Sequence, residues 1–310
     1  MSVVVVTDRF RTIRRVLARL REQTARDQLE IIIVIPGGNR EGDDIVTLDE
    51  FAAHQIVEIA TVHPMPVARA AGIRAATAPI VFLGETHSFP NAVFAEKLIA
   101  AHEGDWDAVV PGISNANPES IFSWASFLGD YGMWNDTLSA GKIGGGPTWN
   151  VAYKRSVLAE ADDRLEKAME HGDELALWFH DRGGRAYFEP AARLEHANVS
   201  QMKPWIEQRF LCGVLVASAR KERWSVGKRL LYIAASPLIP AVIMYRLRKP
   251  VQNLFSNGTL PVSAIATLLF GIVVRTAGEV VGYARGAGAE AQQRMDQFEL
   301  HKLAFTSMEM

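Results

Sequence analysis

Short apolar runs alternate with amphipathic segments along the first two thirds of the chain. Residues 3–6 are four consecutive valines, and so short and continuous a run predicts a strand buried on both faces. Residues 9–23 place Ile13, Val16, Leu17 and Leu20 on one side at helical spacing, with arginines elsewhere. Residues 29–35 predict a second strand, followed by the turn Pro36-Gly37-Gly38-Asn39. Residues 56–62 predict a third strand, 66–76 a helix and 80–83 a fourth strand. A helix over 91–102 and a strand over 108–110 continue the series. A polar loop over 114–117 precedes an aromatic-rich stretch over 121–134, a core or lid element whose ring faces also suit sugar stacking. Residues 141–149 hold Gly141, Gly144, Gly145 and Gly146 before Pro147, a loop that lets a ligand approach backbone. Structure resumes over 150–158. A helix over 174–182 ends at Gly183-Gly184, and 186–188 form a short strand. Strands alternating with helices predict an α/β fold, a mostly parallel sheet with helices on both faces.

This pattern stops near Ser200, which divides the chain into a domain over 1–200 and a tail over 201–310. Lys203, Arg209, Arg220, Lys221, Arg223, Lys228, Arg229, Arg246, Arg248 and Lys249 crowd the start of the tail, opposed there by Glu207 and Glu222 alone. They flank an apolar run over 230–245 that contains Pro237 and Pro240; a second run covers 260–274. Each is shorter than the roughly 20 residues a membrane-spanning helix needs, and extending the second to Ala284 crosses Arg275 and Glu279. The expectation is a helical tail, interfacial or re-entrant, on an anionic membrane surface at the cytoplasmic face. Buried helices or a homo-oligomer contact are the other readings.

Composition narrows the picture. With 310 residues and a net charge of −2, the whole chain is no binder of polyanions, so a nucleic-acid partner is not expected. A single cysteine, Cys212, excludes an internal disulfide framework and a Cys-rich zinc site. The first residues lack a basic segment and a cleavage site, and read as a strand rather than a signal peptide.

The sharpest candidate chemistry follows residues 80–83. That strand ends at Gly84 and then presents Glu85 and His87, two residues apart. Side chains so spaced can point the same way, and a carboxylate with an imidazole can share one divalent cation. Ligands of α/β proteins bind at the carboxyl ends of strands. A polar turn that happens to hold both residues is the plainer reading.

Four ordered segments carry a resemblance: the strand–helix start over 3–23; Ala68-Arg69-Ala70-Ala71-Gly72 leading into 80–90; residues 144–155 with Asn150; and residues 173–196, closing on Pro190, Ala192 and His196. Together, over roughly residues 1–200, they resemble family-2 glycosyltransferases of the GT-A fold. The resemblance implies a GT-A-like nucleotide-sugar-binding domain in which Glu85-Thr86-His87, a Glu-x-His variant, takes the place of the Asp-x-Asp metal motif. It implies donor binding by Thr7, Asp8, Arg69, Glu85 and Asn150, metal ligation by Glu85, His87 and His196, and catalysis by Asp173 with Glu174. Ala70 replaces the family's asparagine, His171-Gly172 occupies the strictly aligned acidic pair, and Pro36-Gly37-Gly38-Asn39 stands where an aspartate-rich turn normally contacts uracil. The implied cofactor is Mn²⁺ or Mg²⁺, with the imidazoles favouring Mn²⁺. His196 has a second reading as a core or capping histidine, and Asp173 as the N-cap of the helix it precedes. The implied activity is transfer of a sugar, with inversion, from a nucleotide-sugar donor to a lipid-linked or cell-envelope glycan acceptor. The rivals are a non-catalytic scaffold of the same fold at a membrane and a nucleotidyltransferase built on the glycine turn.

Overall fold

The computed structural model describes residues 1–38, 48–147, 149–170 and 174–308. In chain order the elements are β1 (Ser2–Val6), α1 (Phe10–Arg21), β2 (Glu30–Pro36), β3 (Ala53–Ile59), α2 (Met65–Ala75), β4 (Ile80–Leu83), β5 (Ser88–Pro90), α3 (Phe94–Ala101), β6 (Ala108–Asn115) and α4 (Ile121–Tyr131). They continue with β7 (Gly141–Ile143), β8 (Ala152–Lys154), α5 (Arg155–Ala159), α6 (Leu165–Ala168), α7 (Glu174–Asp181) and β9 (Ala186–His196). The tail holds α8 (Met202–Arg223), α9 (Val226–Ala234), α10 (Ile239–Ser256), α11 (Val262–Arg285) and α12 (Ala289–Leu300).

The strands form one sheet in the order β3-β2-β1-β4-β8-β6-β9-β5, with β7 also on β9. The long pairings, β1/β2, β2/β3 and β6/β9, are parallel; β4/β8, β6/β8, β5/β9 and β7/β9 are short and antiparallel. An apolar core lies on each face, so both sides of β1 and β2 are buried, which is why these strands read as unbroken valine and isoleucine. The apolar stripe of α1 buries Phe10, Ile13, Val16, Leu17 and Leu20. Helix α2 lies unusually close to the sheet. A Cβ on its Gly72 would sit 2.5 Å from Val4 Cγ1 and 2.7 Å from Val34 Cγ2.

The sheet extends further than the apolar pattern predicts. Strand β9 runs on to His196 through Pro190, because its register against β6 slips between Pro111 and Gly112 and the proline falls in that bulge. Residues 114 and 115, expected in a loop, continue β6 instead. Strand β3 begins three residues before the apolar window, on a largely exposed edge.

The tail departs further. Helix α11 is 24 residues long and continues through Arg275 and Glu279, which pair at 3.5 Å, so the second apolar run belongs to a longer helix than its uninterrupted stretch implied. By length and composition α11 is long enough to cross a membrane, as are α9 and α10 taken together across a 51° bend. Helices α8 and α11 touch backbone to backbone: Cβ atoms on Gly213, Gly278 and Gly282 would lie 2.0, 2.1 and 2.4 Å from carbonyl oxygens of the facing helix. A third core joins α4 to α8, α10, α11 and α12. Helix α12 then returns to the sheet, where Leu300 enters one of its cores.

Candidate metal and donor site

Glu85 and His87 lie on the loop between β4 and β5, at the carboxyl end of β4. The pairing of β5 with β9 sets Ser88 opposite His196 and so delivers His196, more than a hundred residues later, to the same point. One ligand atom from each of Glu85, His87 and His196 lies within 4.8 Å of the others. Glu85 Oε2 is 3.3 Å from His196 Nε2 and 3.5 Å from His87 Nε2. All three side chains are buried.

The surrounding hydrogen bonds place a proton on Nδ1 of each imidazole. Asn198 Nδ2 donates to Asn115 Oδ1 and to the His196 carbonyl, both at 2.9 Å. Its Oδ1 therefore faces His196 Nδ1 and accepts from it at 2.9 Å. Thr86 Oγ1 donates to the carbonyls of Glu299 and Leu300, which leaves its lone pair to accept from His87 Nδ1 at 3.3 Å. With Nδ1 protonated, the neutral form of either ring turns its Nε2 lone pair towards a carboxylate oxygen, and neither Nε2 has a hydrogen-bond partner among the described residues. Three electron-rich atoms so placed suit a cation. Donors about 2.1 Å from a common ion lie roughly 3.0–3.5 Å apart, which the two measured separations match. Protonated Nδ1 atoms held by oxygen acceptors are also the usual outer support of metal-binding histidines.

Glu85 Oε2 further accepts from Asn150 Nδ2 at 2.6 Å, Ser88 Oγ at 3.1 Å and Tyr131 Oη at 3.3 Å. Asn150 holds a left-handed φ of 60°, which asparagine tolerates better than most residues. Burial works against the Glu85 charge, yet the carboxyl stays well below its ordinary range, with Lys302 among the positive groups near it. Burial, reinforced by Lys302, pushes His87 well down, so this imidazole is neutral near pH 7 and able to ligate. Burial first, and Glu85 second, push the Tyr131 phenol well up, so it stays a donor.

Arg69, on α2, is 7% exposed, and its Nη1 has no hydrogen-bond partner among the described residues. Its guanidinium stacks 3.5 Å above the Trp149 ring and feels Glu299, Glu85 and Asp296. Thr7 and Asp8 follow β1. Thr7 donates through its hydroxyl to the Arg9 carbonyl, and Asp8 accepts from Thr12 and lies 3.7 Å from His301. Glu174 opens α7 and accepts from Arg223 at 2.9 Å. Asp173 lies outside the described residues.

A cavity of about 350 Å³ runs from Glu85 towards the tail, bounded by Tyr131, Trp149, Ala176, Arg209, Arg275 and Glu299 among others. Tyr131, Asn198, Glu299 and Lys302 were not candidates in the sequence. They come from remote elements, and no local spacing marks them.

No family model matches the chain, and no curated protein matches it. Among solved structures the chain is similar to the mannosyltransferase PcManGT from Pyrobaculum calidifontis in complex with GDP-Man and Mn²⁺. The identity is 16% and the TM-score 0.52, over 97% of this chain and 87% of that one. It is also similar to S. aureus TarS 1–349 in complex with UDP, at 14% identity and a TM-score of 0.46, over 96% and 90% of the two chains. The mostly parallel nine-stranded sheet and the likeness to PcManGT make this a GT-A-like α/β fold.

Proposed function

We propose that this protein is a metal-assisted glycosyltransferase that moves a sugar from a nucleotide-sugar donor to an acceptor at a membrane surface. One observation carries the reading: two buried imidazole Nε2 atoms and a buried carboxylate oxygen converge at the carboxyl end of β4, where this fold class binds its ligands. Glu85, His87 and His196 hold a divalent cation, with two imidazoles favouring Mn²⁺ over Mg²⁺. When bound, the cation screens the charge that builds on the departing diphosphate. Arg69 faces the same charge with its unpaired guanidinium nitrogen. The bond between the sugar anomeric carbon and the diphosphate breaks, and a bond to the acceptor oxygen forms with inversion. The acceptor hydroxyl proton passes to Asp173, with Glu174 the runner-up. Thr7, Asp8 and Asn150 complete the donor side.

The tail supports a membrane setting. Leu230, Leu231, Leu238, Tyr245 and Val262 are each at least 60% exposed, and Lys228, Arg246, Arg248 and Lys249 stand exposed beside them. An apolar surface bordered by cations fits an anionic bilayer, with a lipid-linked or cell-envelope glycan acceptor reached through the cavity beside Glu85. In this reading the domain over 1–200 binds the donor and the tail over 201–310 holds the enzyme at the cytoplasmic face. A panel of nucleotide sugars incubated with the full chain and Mn²⁺ tests the activity. Release of a nucleoside diphosphate that is lost in Glu85→Ala supports an enzyme. A folded chain that binds donors but turns none over, with acceptor lipids present, is the scaffold instead.

A further inference from the structure

The last helix reaches into the metal site. Glu299, on α12, has a side chain only 11% exposed, and its Oε2 lies 3.9 Å from His87 Nε2. The same oxygen accepts from Lys302 Nζ at 3.1 Å, and that lysine's side chain is only 6% exposed. Glu299 borders the cavity beside Glu85 and also a void of about 10 Å³ beside Arg69, Glu85 and His87. Its backbone is tied to the metal loop, because Thr86 Oγ1 donates to the carbonyls of Glu299 and Leu300 at 3.2 and 3.1 Å. One turn earlier, Asp296 Oδ2 accepts from the Met65 backbone N at 3.3 Å and lies 3.2 Å from His63 Nδ1.

We infer that Glu299 is a fourth protein ligand of the same cation, so that the C-terminal tail completes the active site as well as anchoring it. This inference rests on the metal reading above. The donor chemistry argues for it. One carboxylate and two neutral imidazoles offer a divalent cation a single negative charge; a second carboxylate balances it. In this structure Lys302 supplies the positive charge against Glu299. With a cation at Glu85, His87 and His196, Glu299 Oε2 would exchange Lys302 for the ion; it stands 3.9 Å from His87 Nε2 but outside the set of three ligand atoms within 4.8 Å of one another, so its side chain would turn towards them. Four protein ligands leave two positions of an octahedral ion for diphosphate oxygens. The displaced Lys302 then faces the cavity as a second cation for the leaving group.

Mn²⁺ binding by the full chain, read by calorimetry and by electron–nuclear spectroscopy of the bound ion's water protons, tests this without any turnover. Wild type is expected to hold Mn²⁺ with about two coordinated waters. Glu299→Gln is expected to bind at least about 10-fold more weakly and to gain one water. Unchanged affinity and water count in a folded Glu299→Gln, with binding lost in Glu85→Ala, overturns the fourth ligand and leaves the three-residue site standing. Three waters in wild type overturn it with no variant at all. A folded wild type that binds no Mn²⁺ overturns the metal reading, and this inference with it.

Discussion

At the scale of single residues, the site depends on protons being absent from two particular nitrogens. Asn198 fixes one of them, so Asn198→Ala should weaken Mn²⁺ binding about 10–100-fold in calorimetry even though it touches no metal. Equal affinity in the folded variant would remove the tautomer from the account. Arg69 should act on the donor rather than on the ion. Arg69→Met is expected to lower nucleoside diphosphate affinity about 10–100-fold and to leave binding of Mn²⁺ alone no weaker. Burial also brings His102 down to about 4, and its ring donates from Nε2 to the Ala152 carbonyl. The unfolded chain therefore takes up this proton first, near pH 6.5, and the folded chain only near 4. Stability is complete above the higher value and falls on acidification between the two, by about 3 kcal/mol from this group. Urea unfolding at a series of pH values should show that slope, and His102→Gln should flatten it by about one proton. That Glu85 and His87 would stand together at a strand end was legible in the sequence, because they follow a short, continuous apolar run. That His196 would come beside them was legible only through the ordered resemblance, and the approach of Glu299 not at all, since nothing local connects a C-terminal helix to a strand end some two hundred residues earlier.

At the scale of elements, close approach decides where glycine is needed. Gly278-Glu279-Val280-Val281-Gly282 is a small-xxx-small spacing, a sequence signal that marks the α8–α11 seam once the pair is seen. Gly278→Ala puts a methyl against the Phe210 carbonyl oxygen and should destabilise the fold by about 1–3 kcal/mol. Gly227→Ala, in α9 with nothing within 4 Å of the added carbon, should be neutral or stabilising by about 0.5–1 kcal/mol. Urea midpoints of the two variants check this; equal shifts would mean that the seam is not close-packed. The buried parallel strands and the amphipathic α1 were readable because each buries a continuous or periodic apolar surface. Strands β7 and β8 were not, because three residues carry no period. The true extent of β9 was hidden by Pro190, which breaks a regular ladder but sits comfortably in a bulge.

At the scale of the molecule, the tail both borders the cavity and presents an apolar, cation-edged surface outward. If that surface docks on lipid, each basic side chain near an anionic bilayer adds about 1 kcal/mol. The triple variant Arg246→Ala, Arg248→Ala, Lys249→Ala should then partition about 10²-fold more weakly onto anionic vesicles at low salt, with a fraction held by the apolar helices that salt does not release. Equal sedimentation of variant and wild type, or none by wild type, would return the surface to an oligomer contact. The division near Ser200 follows the change in composition, yet Leu300 enters a core of the sheet; a boundary read from local composition does not register a helix that comes back.

The central claim is a cation-dependent donor site at Glu85, His87 and His196. Calorimetry of GDP and UDP with the full chain, in Mn²⁺ and again in EDTA, tests it most directly. The account predicts that at least one of the two binds in Mn²⁺, and that its affinity drops at least about 10-fold both in EDTA and in a folded Glu85→Ala. Binding that is indifferent to EDTA and to Glu85→Ala, or no binding of either nucleotide by the folded wild type in Mn²⁺, would contradict it.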